Sequence, residues 1–346
     1  MAIKTKTERF DVAIVGAGPA GLSCALELQK SNLKVVILEK NKIIGPKVCA
    51  GGLTHKISEL NHGLQEADRL FNSVNIAVPD CQFAISQSQP FVGTIDRGRL
   101  GQILLKKISK KIAILKNSPV LGIKKNFLQT KEKKIYFKYL IGADGSLSLV
   151  RKILGLNTKK YLTGIQYLLP AKYKKMELYF DANLFGSGYA WIFPHKNYTS
   201  IGCGRIISEL TKNNNLLKNF QIWLAENNID ITSCELQGSI INYDYHGFDF
   251  GENFLIGDAA GFASGLTGEG IYFGIISGQE VAKKIIDPNY TCPRIKDILK
   301  IKRKHEMVLK FASSLNYFGV LPGFYQLLPI LFRNHWFTKK AINLFC

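Results

Sequence analysis

One stretch near the start of the chain constrains its fold more than any other: FDVAIVGAGPAGLSCALELQKSNLKVVILEK, residues 10–40. Its apolar run at 12–15 predicts a buried strand, and the apolar run at 35–38 predicts a second strand. Between them, a Gly-rich turn at 16–21 leads into apolar residues at helical spacing. The stretch is therefore a predicted βαβ unit, the building block of a parallel sheet.

The residues of this turn suit a dinucleotide. Gly16 allows the tight turn, Gly18 lets the backbone approach a pyrophosphate, and Gly21 lets helix and strand pack closely. An acid at the end of the second strand accepts hydrogen bonds from a ribose diol. The pattern therefore predicts a binding site made by Gly16, Ala17, Gly18, Gly21, Glu39 and Lys40. A Gly-rich turn without a ligand is the alternative.

Composition and cysteine content narrow the function classes. The chain has 346 residues, 46% of them hydrophobic, which is enough for one large core or two interleaved domains. Its seven cysteines form no CxxC pair, which argues against a disulfide framework and a zinc site. The N-terminus lacks the apolar region of a secretory signal, so we expect a reducing cytoplasm.

The chain is strongly basic, with 46 Lys and Arg against 26 Asp and Glu and a net charge of +20. Such a charge favours an anionic partner, and both nucleic acid and an anionic membrane surface qualify. The lysines are scattered in pairs without the pattern of a nucleic-acid module. We therefore expect a membrane surface and no nucleic acid. A compositional bias towards lysine is the alternative.

Two later segments repeat the change from buried strand to Gly-rich turn: YLIGADGSLSLVRKIL and NFLIGDAAGFASGLTGEGIYFGIISGQEVA. In this order, the three motifs resemble flavoproteins of the p-hydroxybenzoate hydroxylase type. The resemblance implies non-covalent FAD, with Asp144 near its pyrophosphate and Asp258 at its ribityl chain. Arg97 matches an arginine near FAD in that superfamily. Ordinary turn formation by the aspartates, and a surface position for Arg97, are the alternatives.

A helix is predicted directly after Gly270 and Ile271. Its N-terminus carries partial positive charge and favours the negative charge that reduced flavin develops. No second strand–GxGxxG–helix pattern is present in the sequence, so we do not expect a separate NAD(P)H domain. The electron donor, NADPH or ferredoxin, stays open.

The middle of the chain, residues 160–205, alternates apolar and polar residues and predicts an antiparallel sheet over the flavin. Within it, Tyr189-x-Trp191-x-Phe193-Pro, followed by Gly-x-Gly, resembles the signature of the geranylgeranyl reductase family. Alternation puts these three aromatic residues on one face of a strand. They are our candidate substrate residues, lining an apolar tunnel, and plain core packing is the alternative.

The loop GPKVCAGG at 45–52 matches a Lys-x-Cys-x-Gly element of the same family. The resemblance implies that this loop lies against the isoalloxazine ring, with Ala50 at the cofactor. Cys49 would face the alkene of the substrate and is the candidate catalytic residue. A small buried thiol without a function is the alternative.

The function implied by this resemblance is an FAD-dependent reductase. It would saturate carbon–carbon double bonds of a polyprenyl chain carried by a lipid, a quinone or a pyrophosphate. The sequence does not indicate the length of the prenyl chain or the oligomeric state. A flavin-dependent monooxygenase or halogenase, acting on an aromatic or apolar substrate, is one alternative. A membrane-associated flavoprotein electron carrier is another.

The expected fold class is α/β, or α+β overall, with a Rossmann-like FAD-binding domain interleaved with a substrate domain. The FAD-binding domain comprises 8–75, 92–155 and 245–290; the antiparallel-sheet substrate domain comprises 76–91 and 156–244; a helical segment comprises 291–346. A surface helix is predicted at 216–227. The apolar run at 315–337 is interrupted by Pro322 and Pro329 and is too short to span a membrane. It lies either in a membrane interface or over the tunnel as a cap.

Overall fold

The computed structural model describes residues 6–54, 56, 66–170, 173–209 and 215–345, and it confirms the predicted α/β fold class. Its strands are β1 (Lys6–Arg9), β2 (Val12–Val15), β3 (Val35–Leu38), β4 (Gly52–Thr54), β5 (Arg69–Phe71), β6 (Ser73–Val78), β7 (Cys81–Ser86), β8 (Val92–Thr94), β9 (Ala113–Leu115), β10 (Gly122–Lys124), β11 (Phe127–Gln129), β12 (Lys133–Tyr136), β13 (Tyr139–Gly142), β14 (Tyr161–Pro170), β15 (Met176–Tyr179), β16 (Tyr189–Pro194), β17 (Tyr198–Ile206), β18 (Gln237–Asn242), β19 (Asp249–Phe250) and β20 (Asn253–Leu255). The helices are α1 (Pro19–Leu28), α2 (Arg97–Lys106), α3 (Leu149–Ile153), α4 (Ala182–Phe185), α5 (Leu216–Glu226), α6 (Ile271–Ile286), α7 (Pro293–Tyr317), α8 (Leu321–Arg333) and α9 (His335–Phe345), with 3₁₀ turns at Ile207–Glu209 and Gly257–Ala259.

A six-stranded sheet in the order β19-β20-β13-β2-β3-β9 forms the part of the fold predicted to bind the dinucleotide. Its strands from β20 to β9 run parallel, and β19 is antiparallel to β20. Every residue of β2 and β3 is buried, as their uninterrupted apolar runs predict. Helix α1 joins them and packs against α6, where a Cβ on Gly278 would lie 2.3 Å from the carbonyl oxygen of Ala20. The predicted βαβ unit is therefore present.

A seven-stranded sheet in the order β18-β14-β17-β16-β15-β6-β7 lies over the cavity described below. Its pairs are antiparallel except β15 with β6, which run parallel. Helix α5 covers one face, where Phe220 and Trp223 are buried against Ala190 and Ile192. The opposite face of β16 carries the predicted aromatic residues, as alternation requires. Two smaller sheets have the orders β1-β12-β11-β10 and β4-β8-β5.

The two large sheets draw on different stretches of the chain. All strands of the six-stranded sheet come from the three segments expected to form the FAD-binding domain. The seven-stranded sheet draws on the substrate segments, with β6 beginning at Ser73, just before the expected boundary at residue 76. The chain thus crosses repeatedly between the two sheets, and the cavity lies where it crosses.

The C-terminal helices close the molecule over the seven-stranded sheet. Ile342 and Phe345 of α9 pack in the same cluster as Trp191 and Phe193. Among the residues that the structure describes, no helix combines the length and the apolar character that crossing a bilayer requires.

The expectation that the segment is broken at Pro329 is wrong, because helix α8 continues through this residue. Pro322 lies in the first turn of α8, where a missing N–H costs nothing, but Pro329 lies inside the same helix. A proline within a helix costs about 3 kcal/mol. Packing of Leu321 and Tyr325, both buried against Val78, offsets that cost.

Candidate active site

A cavity of about 1600 Å³ lies between the carboxyl ends of the parallel strands and the seven-stranded sheet. Ligands of open α/β sheets bind at this edge. The cavity is lined by every predicted site residue except Gly21: Gly16, Ala17, Gly18, Glu39, Lys40, Cys49, Ala50, Arg97, Asp144, Tyr189, Trp191, Phe193, Asp258, Gly270 and Ile271. One continuous space therefore joins all the sequence motifs.

The three glycines of the first turn are needed for different reasons. Gly16 has φ +104°, and a Cβ there would lie 2.4 Å from the carbonyl oxygen of Ala143. A Cβ on Gly21 would lie 2.1 Å from the carbonyl oxygen of Gly16, so only glycine lets the helix pack this closely against the turn. A Cβ on Gly18 would meet no described atom within 4 Å, because this residue faces the open cavity. The turn thus leaves room for a ligand next to its backbone.

Glu39 holds this turn in place. Its Oε2 accepts a hydrogen bond from the backbone N–H of Ala17 at 2.8 Å, and its Oε1 accepts one from Asn41 N–H at 2.9 Å. A carboxylate has further lone pairs on each oxygen, so the same group can accept from a ribose diol. Lys40 follows at the exposed rim of the cavity.

Asp144 is engaged inside the chain. Its carboxylate accepts from Ser148 Oγ at 2.5 Å and from the backbone N–H of Leu149 at 2.7 Å, at the start of α3. Burial raises the pKa of Asp144, and the hydrogen bonds offset this only in part. Its side chain therefore shapes the cavity wall by fixing the turn into α3.

Asp258 lies beside two cations. Lys47 Nζ lies 3.0 Å from its Oδ2, and Ser146 Oγ donates to the same oxygen at 3.3 Å. Burial acts to raise the pKa of Asp258, but the charge and hydrogen bond of Lys47, together with Arg97 and Ser146, outweigh it and lower that pKa. Lys47 belongs to the quoted cysteine loop, yet no pattern in the sequence pairs it with Asp258.

The N-terminus of α6 faces the same part of the cavity. Gly270 is its N-cap residue, and a Cβ there would lie 2.9 Å from Asp258 Oδ1. Since glycine offers no side chain to the first turn, N–H groups of this turn remain for a ligand. The helix start at Gly270 and Ile271 therefore suits an anionic or electron-rich group, as predicted.

Cys49 lines the same cavity as the glycine turn and the aromatic residues of β16. Its Sγ accepts a hydrogen bond from the backbone N–H of Gly51 at 3.4 Å, within a partly buried loop. Gly51 has φ +72°, and a Cβ there would lie 2.6 Å from Cε1 of His195. The sequence motifs did not include His195 as a site residue, although it directly follows the predicted aromatic motif.

The aromatic motif forms one wall of the apolar part. The hydroxyl of Tyr189 donates to the carbonyl oxygen of Thr267 at 2.6 Å. The indole N–H of Trp191 donates to Ser200 Oγ at 2.9 Å, which satisfies its polar atom away from the cavity. The rings of Tyr189, Trp191 and Phe193 follow one another at centroid distances of 6.2 Å. Together they form a continuous apolar surface.

A buried charged cluster at the cavity was also missed by sequence reasoning. Thr54 Oγ1 donates to Glu269 Oε1 at 2.8 Å, while Glu269 Oε2 and Lys56 Nζ have no hydrogen-bond partner among the described residues. Burial raises the pKa of Glu269, and Lys56 and Thr54 counter this only in part. In the sequence, Glu269 lies between two glycines of a Gly-rich turn, and no pattern marked it as a functional residue.

The chain is similar to known oxidoreductases. The sequence profile of the pyridine nucleotide-disulphide oxidoreductase family matches residues 10–189, more than half of the chain. Digeranylgeranylglycerophospholipid reductase 3 of Methanosphaera stadtmanae is 30% identical, with 84% of this chain and 81% of the relative covered. The chloroplastic geranylgeranyl diphosphate reductase of Arabidopsis thaliana is 25% identical, with 82% of this chain and 67% of the relative covered.

The fold resembles a solved structure, that of a geranylgeranyl bacteriochlorophyll reductase-like protein from Thermoplasma acidophilum. The TM-score is 0.75 at 21% identity, with 90% of this chain and 88% of the other covered. The family match and the cavity define the class: an FAD-dependent oxidoreductase. The chain belongs to the geranylgeranyl reductase family, which confirms the prediction from its motifs.

Proposed function

We propose that this protein uses FAD to saturate carbon–carbon double bonds of a polyprenyl chain carried by a lipid, a quinone or a pyrophosphate. The observation that carries the proposal is the continuity of the cavity: its lining includes the glycine turn, which forms its polar end, the aromatic residues of β16, which form its apolar end, and Cys49. Relatives that carry the names of geranylgeranyl reductases support the choice of a prenyl substrate.

The polar end fits FAD. Gly18 leaves open space beside the backbone, and Glu39 offers carboxylate oxygens for a ribose. Asp258 and Arg97 line the next part, and the start of α6 lies beyond them. FAD, when reduced, supplies the hydride. We propose that these residues bind it without a covalent bond, and NADPH and ferredoxin are the candidate electron donors to test.

The apolar end of the cavity would hold the prenyl chain of the substrate. An isolated trisubstituted alkene is a poor hydride acceptor, so the site must exclude water and hold the alkene at a fixed position. Tyr189, Trp191 and Phe193 form one wall, and Ile342 of α9, which packs in the same cluster, also lines the cavity. Cys49 would then contact the alkene, as a proton source or as a polarising group.

Mass spectrometry of lipids that co-purify with the protein tests the substrate class. We expect prenyl lipids at near-stoichiometric amounts in wild type, and much less in Trp191→Ala, because truncating a buried ring costs about 3 kcal/mol of contact. Aromatic compounds in place of prenyl lipids, with oxygen uptake stimulated by them, would instead favour a monooxygenase or halogenase. Bound FAD with no altered prenyl product would favour the electron carrier.

We also propose that the C-terminal helices contact an anionic membrane surface. Tyr317 and Phe318, at the end of α7, are 85% and 73% exposed. Further along, Trp336 is exposed, and Lys340 Nζ lies 3.7 Å from its ring centroid. Exposed aromatic and basic side chains side by side are typical of membrane-interface segments. Because α8 and α9 also line the cavity, this surface would receive a lipid-borne substrate directly.

Binding to anionic vesicles tests this second proposal. Phe318→Glu should weaken binding, and rising salt should weaken it further as the screening length falls to about 8 Å at physiological strength. Leu121→Glu is a matched control. Leu121 is also an exposed apolar residue, at 64%, but it lies next to β10 and outside the C-terminal helices. Equal vesicle binding by both variants, or none by wild type, would contradict a membrane-docking surface.

A further inference from the structure

His195 links the strand of the aromatic wall to the cysteine loop. It directly follows β16, and its Nε2 lies 2.9 Å from the carbonyl oxygen of Ala50. Its side chain is fully buried and stacks on Tyr198 with 4.3 Å between ring centroids. The contact joins residues 145 positions apart in the chain. The same ring also fills the space that a Cβ on Gly51 would need.

The other ring nitrogen faces a carboxylate. His195 Nδ1 lies 3.2 Å from Asp68 Oδ2, and Asp68 is itself almost fully buried. Asp68 Oδ1 accepts from Arg99 at 2.7 Å, and its Oδ2 accepts from the backbone N–H of Asp96 at 2.6 Å. Burial acts to raise the pKa of Asp68, but the bonds from Arg99 and His195 outweigh it and lower that pKa. Asp68 is therefore an ionised acceptor.

These partners determine the charge of the imidazole. A carbonyl oxygen and a carboxylate oxygen both accept hydrogen bonds and donate none, so both nitrogens of His195 must carry a proton. A neutral ring would leave one nitrogen lone pair facing an oxygen lone pair inside the protein, which is costly. The buried arrangement is complete only with a charged imidazolium between Asp68 and Ala50.

We propose that His195 is a positioning residue, whose imidazolium holds the Ala50 carbonyl and thereby aims Cys49 into the cavity. This inference rests on the proposed function for its catalytic meaning, since Cys49 is the group presented to the alkene. When the ring loses a proton, Nδ1 keeps its proton because Asp68 is the stronger, anionic acceptor. Nε2 then loses its donor, and the loop of Cys49 is released.

Other charged groups near this ring do not substitute for it. Arg99 bonds Asp68 and also approaches Glu66 at 3.9 Å. The hydroxyl of Tyr198 donates to Asp96 Oδ2 at 3.0 Å. Burial and Asp96 raise the pKa of Tyr198, so this phenol stays neutral. The contact with the Ala50 carbonyl is therefore assigned to His195.

The first test uses alkylation of Cys49 by iodoacetamide, followed by peptide mass spectrometry, with the exposed Cys81 as the reference in the same sample. In His195→Ala, Cys49 should react at least about tenfold faster relative to Cys81, because the loop opens more often when a charged hydrogen bond is lost. In His195→Gln, whose amide can still donate to Ala50, the change should be smaller. His246→Gln is the matched control, since His246 pairs with Asp244 at 3.1 Å on an exposed surface, and it should behave as wild type.

A second measurement follows the ring itself. In ¹⁵N-histidine-labelled protein, the signal that disappears in His195→Gln should show two protonated ring nitrogens under the conditions in which Cys49 is alkylated slowly. In Asp68→Asn, which removes the carboxylate that faces Nδ1, the second ring proton should be lost and Cys49 should react faster. This variant also serves if His195→Ala fails to fold.

Two results would overturn the proposal: a neutral His195 ring at the pH of slow alkylation, or wild-type Cys49 reactivity in a folded His195→Ala protein. Neither measurement needs substrate or turnover. If reduced wild-type enzyme reduces no prenyl substrate while alkylation behaves as described, the proposed function fails and the role of His195 stands. If turnover occurs but both measurements are unchanged in the variants, the role of His195 fails alone.

Discussion

Replacing Gly202 by alanine tests the packing that places Trp191 in the cavity wall. Gly202 lies on β17, and a Cβ there would come within 2.4 Å of Trp191 Cζ2 and 2.4 Å of the carbonyl oxygen of Ile165. Carbon atoms pack best at about 3.5–4.0 Å, so the overlap exceeds what a small rotation relieves. One of the two neighbours is backbone of the paired strand β14 and cannot move freely. The indole must therefore shift towards the cavity.

The expected cost is about 1–3 kcal/mol of unfolding free energy, the range for overpacked cores. Such a loss is a substantial part of a total stability of about 5–15 kcal/mol. We expect a lower urea midpoint, altered tryptophan fluorescence, and weaker binding of a prenyl ligand because the displaced ring narrows the tunnel. Equilibrium urea unfolding and ligand titration measure these effects.

Gly238→Ala is the matched control. Gly238 lies on β18, which pairs with the other edge of β14, and the nearest atom to its added Cβ is Ile165 Cγ2 at an ordinary 3.7 Å. Its free energy of unfolding should change by no more than about 0.5 kcal/mol. Equal midpoints for Gly202→Ala and Gly238→Ala, with unchanged prenyl affinity, would refute the packing argument.

Three further predictions concern the cofactor, the thiol and the C-terminal helix. Glu39→Ala should release FAD about tenfold or more faster on dilution, because a ribose contact to a charged group is worth about 1.5–3 kcal/mol; full retention would count against a ribose contact. Cys49→Ser should keep the FAD spectrum and its photoreduction but slow anaerobic reoxidation of the flavin by a geranylgeranyl substrate; an unchanged stopped-flow rate would remove the thiol from the chemistry. Burial lowers the pKa of His305 from 6.5 to about 4. Between these pH values the unfolded chain binds a proton at this residue and the folded chain does not. The free energy of unfolding should therefore fall by roughly 3 kcal/mol as the pH drops from 6.5 to about 4. Because His305 Nε2 bonds the carbonyl oxygen of Leu344 at 2.7 Å, urea midpoints should follow this pH dependence in wild type and lose it in His305→Gln.

Short segments determined the parts of the fold that could be predicted. The βαβ unit forms within about thirty residues, because each strand is buried on both faces and the turn needs glycine at fixed positions. The same is true of the aromatic wall, since alternation along one strand decides which side Tyr189, Trp191 and Phe193 occupy. The structure has these elements where the patterns put them.

Contacts between distant segments could not be predicted. Lys47 and Asp258 are 211 positions apart, and His195 and Asp68 are 127 apart. Each pair meets only because the chain crosses between the two sheets, and no local periodicity carries that information. Cys49 was found through a family motif, whereas the residues that hold its loop have no motif of their own.

Some local patterns have two physical outcomes, and only packing decides between them. Asp144 in an Ala-Asp-Gly turn suits a cofactor contact, yet its carboxylate also caps α3. Pro329 favours a helix end, yet α8 continues through it because its apolar face is buried at Leu321 and Tyr325. Helix propensity is a weak prior that tertiary packing overrides.

The most direct test of the central claim is a single turnover of the reduced holoenzyme with a geranylgeranyl lipid, without oxygen, followed by mass spectrometry of the lipid. We predict that the flavin reoxidises as the lipid gains two hydrogens for each double bond reduced, and that no oxygen atom is added. Reduced flavin that stays reduced with an unchanged prenyl chain, or that reoxidises only with oxygen and an aromatic compound, would contradict the account.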